Sequence, residues 1–183
     1  MFSLIKAHLI AFREDTRGTV TVETAIMLPA LFWAWATAYV FFDAYRQASI
    51  VQKAAYTVGD MVSRETDYVT DNYITNTKKL YDLMVKSNLD NSIRISVIRY
   101  DLANDQYSID WSKTRGTKVE LTTSDVQLWH DKLPVMPDDE IIIYVETWSK
   151  FSAPFTVGLE NKIFEGRVFT RPRFAPQVLY QAS

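Results

Sequence analysis

The sequence contains no cysteine and only two histidines in 183 residues. Without thiols there can be no thiolate metal site, iron–sulfur cluster or disulfide, so any part folded outside a membrane must rely on its own core. The missing thiols leave the compartment open. His8 lies before a long apolar run and His130 lies beside Trp129 in a short helical pattern, so the two do not converge on one site. Glycine is also scarce, at five residues, and forms neither a phosphate-binding loop nor a Gly-x-Ser-x-Gly elbow. Charge of one sign is lacking as well: 20 Lys and Arg against 22 Asp and Glu leave a net charge of -2, with no basic field to recommend nucleic acid as a partner. With neither a nucleophile–base pair nor a phosphate loop, no enzyme activity, small-molecule substrate, cofactor or metal is expected. The acidic groups Asp101, Asn104, Asp105 and Asp138-Asp139-Glu140 lack the ligand spacing of a calcium loop and read as solvated turns. Arg167, Arg171 and Arg173 read as the charged alternation of an edge strand.

Against this plain background one stretch stands out. From Thr24 to Phe42 there are 19 consecutive uncharged residues. As an α-helix they would cover roughly 28 Å, close to the hydrocarbon thickness of a bilayer. Lys6, Arg13 and Arg17 precede the run, which favours a cytoplasmic N-terminus and an outward C-terminal part, although Arg46 and Lys53 follow closely. A secretory signal peptide competes with this reading, because Ala36-Thr37-Ala38 offers a small-x-small cleavage pattern. Against it stand the long basic region, the acid Glu23 at the front of the apolar segment, and aromatic apolar sequence continuing to Phe42.

Helical periodicity continues past the apolar run. Ala44, Ala48, Val51, Ala55, Val58 and Val62 fall on one face, which predicts a helix from near Thr19 to Ser63–Thr66, with Gly59 as its weak point. A polar bend over 64–71 then leads to a second helix capped by Thr70 or Asp71 and running to about Asn88. Ile74, Thr77, Tyr81 and Met84 form its inner face, with Leu80 beside them. The period changes to 2 at Ile93, Ile95 and Val97. A turn at Asp101–Asp105 and the alternation of Tyr107, Ile109 and Trp111 complete a β-hairpin. Ser124-Asp125-Val126-Gln127 has capping-box spacing and opens a short helix to about Lys132, ended by Pro134. Ile141–Trp148 reads as a central strand, Ile163–Thr170 as a further strand interrupted by Gly166, and Pro172 and Pro176 as the close of the sheet. The fold class is therefore α+β: a long N-terminal membrane-spanning helix, a second helix and a small, mainly antiparallel sheet. The length suits one domain plus an anchor.

The front of the apolar run poses the functional question. A carboxylate within an apolar boundary is costly unless it has a partner or reaches the interface, and Glu23, one turn from that boundary, could simply snorkel. The alternative partner is an α-amine created at Thr19 by a cut after Gly18, met by a carboxylate on a neighbouring subunit. Ala30, Ala34 and Ala38 form a small-residue strip that permits close helix packing in a membrane. Pro29 removes one backbone hydrogen bond and should loosen the helix, with or without a functional purpose.

A basic residue, Gly18, four residues, Glu23 and about 19 apolar residues resemble the prepilin-type leader of type IV pilins and pseudopilins. Within that family, Gly-Thr-Val-Thr-Val-Glu-Thr-Ala-Ile-Met-Leu-Pro-Ala-Leu looks most like the TadE/TadG-like pseudopilins of Tad (tight adherence, Flp pilus) systems, with Leu28-Pro29 following the acid. The resemblance covers residues 13 to about 66. It implies residues 1–18 as leader, cleavage between Gly18 and Thr19 by a prepilin peptidase, and Glu23 as the fifth-position acid that registers subunits. It also implies a helix over 19–66 with its span at about 24–42, and a periplasmic α+β domain over 67–183. The partners it implies are the membrane, the prepilin peptidase, other pilins or pseudopilins and the Tad inner-membrane assembly platform. Thr19 departs from the bulky first residue common in major pilins, and the outer domain is far larger than the small major Flp pilin. Both departures point to a minor subunit. The competing class is an unprocessed, signal-anchored periplasmic binding or scaffolding protein.

Overall fold

Small apolar residues spaced at helical intervals build the backbone of this molecule. The computed structural model describes residues 6, 10–14, 18–86 and 89–182. Arg17, Asn88 and most of the expected leader lie outside the described residues. Helix α1 spans Thr19–Ser63, 45 residues, and runs unbroken through Pro29. The elements that follow are strand β1 (Val69–Thr70), helix α2 (Asp71–Val85), strands β2 (Ser92–Asp101) and β3 (Gln106–Arg115), helix α3 (Thr123–Val126), and strands β4 (Ile141–Phe151), β5 (Lys162–Thr170) and β6 (Tyr180–Gln181). The chain divides into two compact units, one of Met1–Phe42 with Pro154–Leu159, the other of Asp43–Ala153 with Glu160–Ser183.

The second unit is a four-stranded antiparallel sheet, ordered β3-β2-β4-β5, with apolar cover on both faces. On one face Ile93, Ile95 and Val97 of β2 and Ile143 and Val145 of β4 pack with Val51, Ala54, Val58 and Val62 of α1 and with Ile74, Tyr81 and Val85 of α2. The stripe anticipated on α1 is thus the sheet-facing side, and each fully buried valine contributes roughly 1.5–3 kcal/mol. On the opposite face Ile98, Tyr100, Ile142 and Tyr144 are covered by Val126, Leu133 and Met136 from the segment before β4. Burial on both faces explains why β4 reads as an almost continuous apolar run instead of an alternation.

Two glycines set the spacing between α1 and the sheet. A Cβ on Gly166 would lie 2.6 Å from Thr147 Oγ1, 2.9 Å from Ala55 Cβ and 3.2 Å from the Val51 carbonyl oxygen. Gly166 therefore does not interrupt β5. It pairs in register with Thr147 and leaves the space that the helix backbone occupies. Gly59 faces the same strands, where an added Cβ would meet Val168 Cγ1 at 3.3 Å.

Local signals at α2 are realised with small changes. The Thr70 hydroxyl accepts a hydrogen bond from the Tyr73 N–H at 3.2 Å and caps the helix. The helix stops at Val85 because Lys86 turns to φ 52°, its N–H bonding to the Asp82 carbonyl at 3.0 Å. Leu80 is exposed and Val85 takes the inner position beside Ile74, Thr77 and Tyr81. Arg115 of β3 clamps the N-terminus of α2, donating to the Asp71 carboxylate at 2.6 Å and to Thr75 Oγ1 at 3.0 Å.

Four features depart from the sequence reading. In the hairpin, Val97 pairs with Trp111 but Ile98 pairs with Ile109, so Asp110 is an extra, bulged residue. The bulge reverses the side-chain parity of β3, sending Trp111 to the helix-side face while Ile109 stays on the other. The capping box sits two residues earlier than Ser124: the Asp125 carboxylate accepts from the Thr122 N–H at 2.8 Å and hydroxyl at 2.6 Å. Helix α3 ends at Val126 instead of continuing to Lys132, and Trp129 and Leu133 follow in successive turns. Finally, β1 and β6 form a two-residue parallel pair, Val69 with Tyr180 and Thr70 with Gln181, beyond the expected close of the sheet.

Candidate functional site

The residues singled out at the front of the apolar run come together on one surface. Residues 10–14 are helical, Gly18 occupies the turn directly before α1, and the helix begins at Thr19. One turn later Glu23 is exposed and enters no salt bridge among the described residues. Gly18, Thr19, Val22 and Glu23 line a shallow, mostly apolar depression with Phe12. Among the described residues, a Cβ on Gly18 would meet nothing within 4 Å, and its φ lies outside the left-handed region. Neither packing among the described residues nor backbone conformation therefore requires glycine there.

Beyond this cluster α1 is long and apolar enough to cross a membrane, and 6% of its most apolar stretch is buried. Ala30, Ala34 and Ala38 are all exposed. Leu28, Leu31, Phe32 and Trp35 line a second apolar depression. Pro29 directly follows Leu28, inside continuous helix. The threonine hydroxyls of the stretch bond back to the helix itself, Thr24 to the Val20 carbonyl at 2.8 Å and Thr37 to the Trp33 carbonyl at 2.9 Å. Such bonds satisfy polar groups that could find no water in hydrocarbon.

Candidates elsewhere are taken up by the fold. Asp101 caps its turn, accepting from the Asn104 N–H at 3.1 Å and side-chain amide at 2.7 Å. These bonds hold its carboxyl below the ordinary range. Asp105 accepts from the Tyr100 hydroxyl at 2.7 Å and Asp139 pairs with Arg99 at 2.6 Å. Arg167 pairs with Glu165 at 2.7 Å, Arg171 with Glu140 at 2.6 Å and Arg173 with Asp60 at 3.0 Å. His130 is exposed on a turn instead of a helix, its ring 5.3 Å from that of Tyr107. Among the described residues no three His, Asp or Glu side chains are grouped to hold a metal ion.

Sequence reasoning passed over a charge pair whose carboxylate is buried. Arg94 Nε donates to Glu146 at 2.7 Å on the face opposite α1, with Arg94 over the Trp148 ring at 5.1 Å. Glu146 is 4% exposed. Nearby, burial first and the Glu146 charge second push the Tyr144 hydroxyl up to about 12. Glu146 sits inside the run Ile141–Trp148, where its strand parity with Ile142 and Tyr144 was the available signal. No protein-family model, no curated protein and no solved structure matches the chain.

Proposed function

We propose that the chain is a minor pseudopilin of a Tad-type (tight adherence, Flp) pilus or secretion machine. In this reading it is a single-pass protein of a bacterial inner membrane, cytoplasmic at its N-terminus and periplasmic beyond the span, and it acts by assembly instead of catalysis. A prepilin peptidase removes residues 1–18, and the mature helix joins other pilins or pseudopilins through the inner-membrane assembly platform. The observation that carries this is Gly18: a glycine that packing among the described residues does not need, placed directly before the first residue of a helix that is long and apolar enough to span. A small residue in an uncrowded turn suits recognition by another protein, such as a peptidase. Glu23 adds weight, as an exposed carboxylate one turn inside the helix and beside Gly18 and Thr19. The unbroken course of α1 past Ala38 weighs against a signal peptidase cut there, which would sever it.

N-terminal sequencing of membrane-extracted protein is the direct test. A start at Thr19 is expected; a start at Met1 would favour the unprocessed anchor, and one at Tyr39 a signal peptide. Glu23→Ala should insert in the membrane normally yet fail to enter the pilus machinery. Normal piliation in that mutant would remove the assembly role from Glu23.

A further inference from the structure

Phe151-Ser152-Ala153-Pro154-Phe155-Thr156-Val157-Gly158-Leu159 has no charge, although Lys150 precedes it and Glu160 follows. It joins β4 to β5 and is irregular after Phe151. Asn161 Oδ1 accepts from the Ala153 N–H at 3.2 Å and fastens its base, while Gly158 turns at φ +91°. Pro154–Leu159 belongs to the same compact unit as the apolar half of α1. The contact is aromatic: Trp35 stacks on Tyr39 with ring centroids 6.0 Å apart, and Tyr39 meets Phe155 edge-on at 6.5 Å. Phe155 nevertheless remains 50% exposed, as do Trp35 at 65% and Tyr39 at 49%.

We propose that the tip of this loop, led by Phe155, is a second membrane contact that lies in the interfacial layer of the bilayer beside the end of the span. The inference rests on the reading of α1 as a membrane span and names a partner surface for the rest of that unit. Tyr39 stands three residues before the end of the uncharged run at Phe42, hence about 4.5 Å inside it along the helix axis. The Phe155 ring, its centroid 6.5 Å from that of Tyr39, therefore stands within about one helical turn of that level. Trp and Tyr settle at this level because an apolar body meets hydrocarbon while a polar edge stays hydrated. The irregular loop backbone suits the same layer, where water still reaches its amides, and would be excluded from the hydrocarbon centre. Continuity with the span and the lack of charge favour lipid over a polar partner.

The absence of cysteine makes the test clean. The full chain, carrying an environment-sensitive fluorophore on a single cysteine, is reconstituted in phosphatidylcholine–phosphatidylglycerol vesicles. Phe32→Cys reports the span, Phe155→Cys reports the loop, and Thr156→Cys reports the loop with Phe155 retained. The expected result is quenching of the Phe32 site by lipids bearing a deep nitroxide, with blue-shifted emission and quenching of the 155 and 156 sites by lipids bearing a shallow one. Quenching of the Phe32 site with the 155 and 156 sites responding only to aqueous iodide would overturn the proposal and leave the span intact. A Phe32 site insensitive to lipid nitroxide would overturn the span reading and the proposal with it.

Discussion

Adding one methyl group at Gly166 should cost more stability than its size suggests. In Gly166→Ala the new Cβ falls 2.6 Å from Thr147 Oγ1, 2.9 Å from Ala55 Cβ and 3.2 Å from a backbone oxygen of α1. The Thr147 hydroxyl can rotate away, but Ala55 has no rotamer and the carbonyl belongs to the helix, so the helix or the sheet must move. Overpacking of this kind costs about 1–3 kcal/mol. Gly59→Ala is the matched control, on the partner surface of the same contact. There the closest approach is 3.3 Å, to a valine methyl, and alanine recovers about 1 kcal/mol of helix propensity. We therefore expect a loss of about 2 kcal/mol for Gly166→Ala and a change under about 0.5 kcal/mol for Gly59→Ala. Urea unfolding of the full chain in detergent, followed by tryptophan fluorescence, measures both as shifts in midpoint at constant slope. Equal midpoints for wild type and Gly166→Ala would refute the account of close helix–sheet approach.

Two further predictions follow from side chains in the second unit. Glu146→Ala should destabilise by up to about 3 kcal/mol by leaving the half-buried Arg94 without its carboxylate, whereas the double replacement Arg94→Met with Glu146→Leu should recover much of that loss, as equilibrium unfolding would show. Hydrogen bonding from Arg115 first, and then from Tyr180, holds the Asp71 carboxyl below its model-compound value of 3.8. A depressed folded pKa gives stability that is complete above the unfolded value and disappears as pH falls through the lower folded one. Asp71→Asn should therefore flatten the fall in stability below about pH 4 and lower stability at neutral pH, both read from unfolding midpoints across a pH series.

What could be read from the sequence was what is encoded within a few residues. The apolar stripe of α1, a cap at Thr70 or Asp71 and the β2–β3 hairpin each rest on local periodicity or a local hydrogen bond, and each stands in the structure, the cap at Thr70. Choices made by distant packing were not legible. Thr122 and Ser124 both stand three residues before a side chain that can complete a capping box, and the need to bury Val126, Leu133 and Met136 on the sheet selects the first. The bulge at Asp110 has no local signature, since Tyr107, Ile109 and Trp111 keep perfect alternation on paper. The two residues of β1 carry no periodicity, and their partners lie at the far end of the chain. At the candidate site the residue order of Gly18, Glu23 and Pro29 was fully visible, but that no packing among the described residues needs glycine at position 18 emerges only from the folded chain.

The second compact unit begins at Asp43, inside α1, and the sheet is walled by Val51, Val58 and Val62. For anyone preparing a soluble fragment, the chemical boundary and the structural boundary therefore differ. A cut at the polar bend near Thr66 would look natural on the sequence, yet it would peel away one wall of the core and bare Ile93, Ile95, Ile143 and Val145 to water. A fragment beginning near Asp43 keeps the wall and discards only the apolar half of the helix. The second half of α1 thus serves the fold as core material and not as a connector.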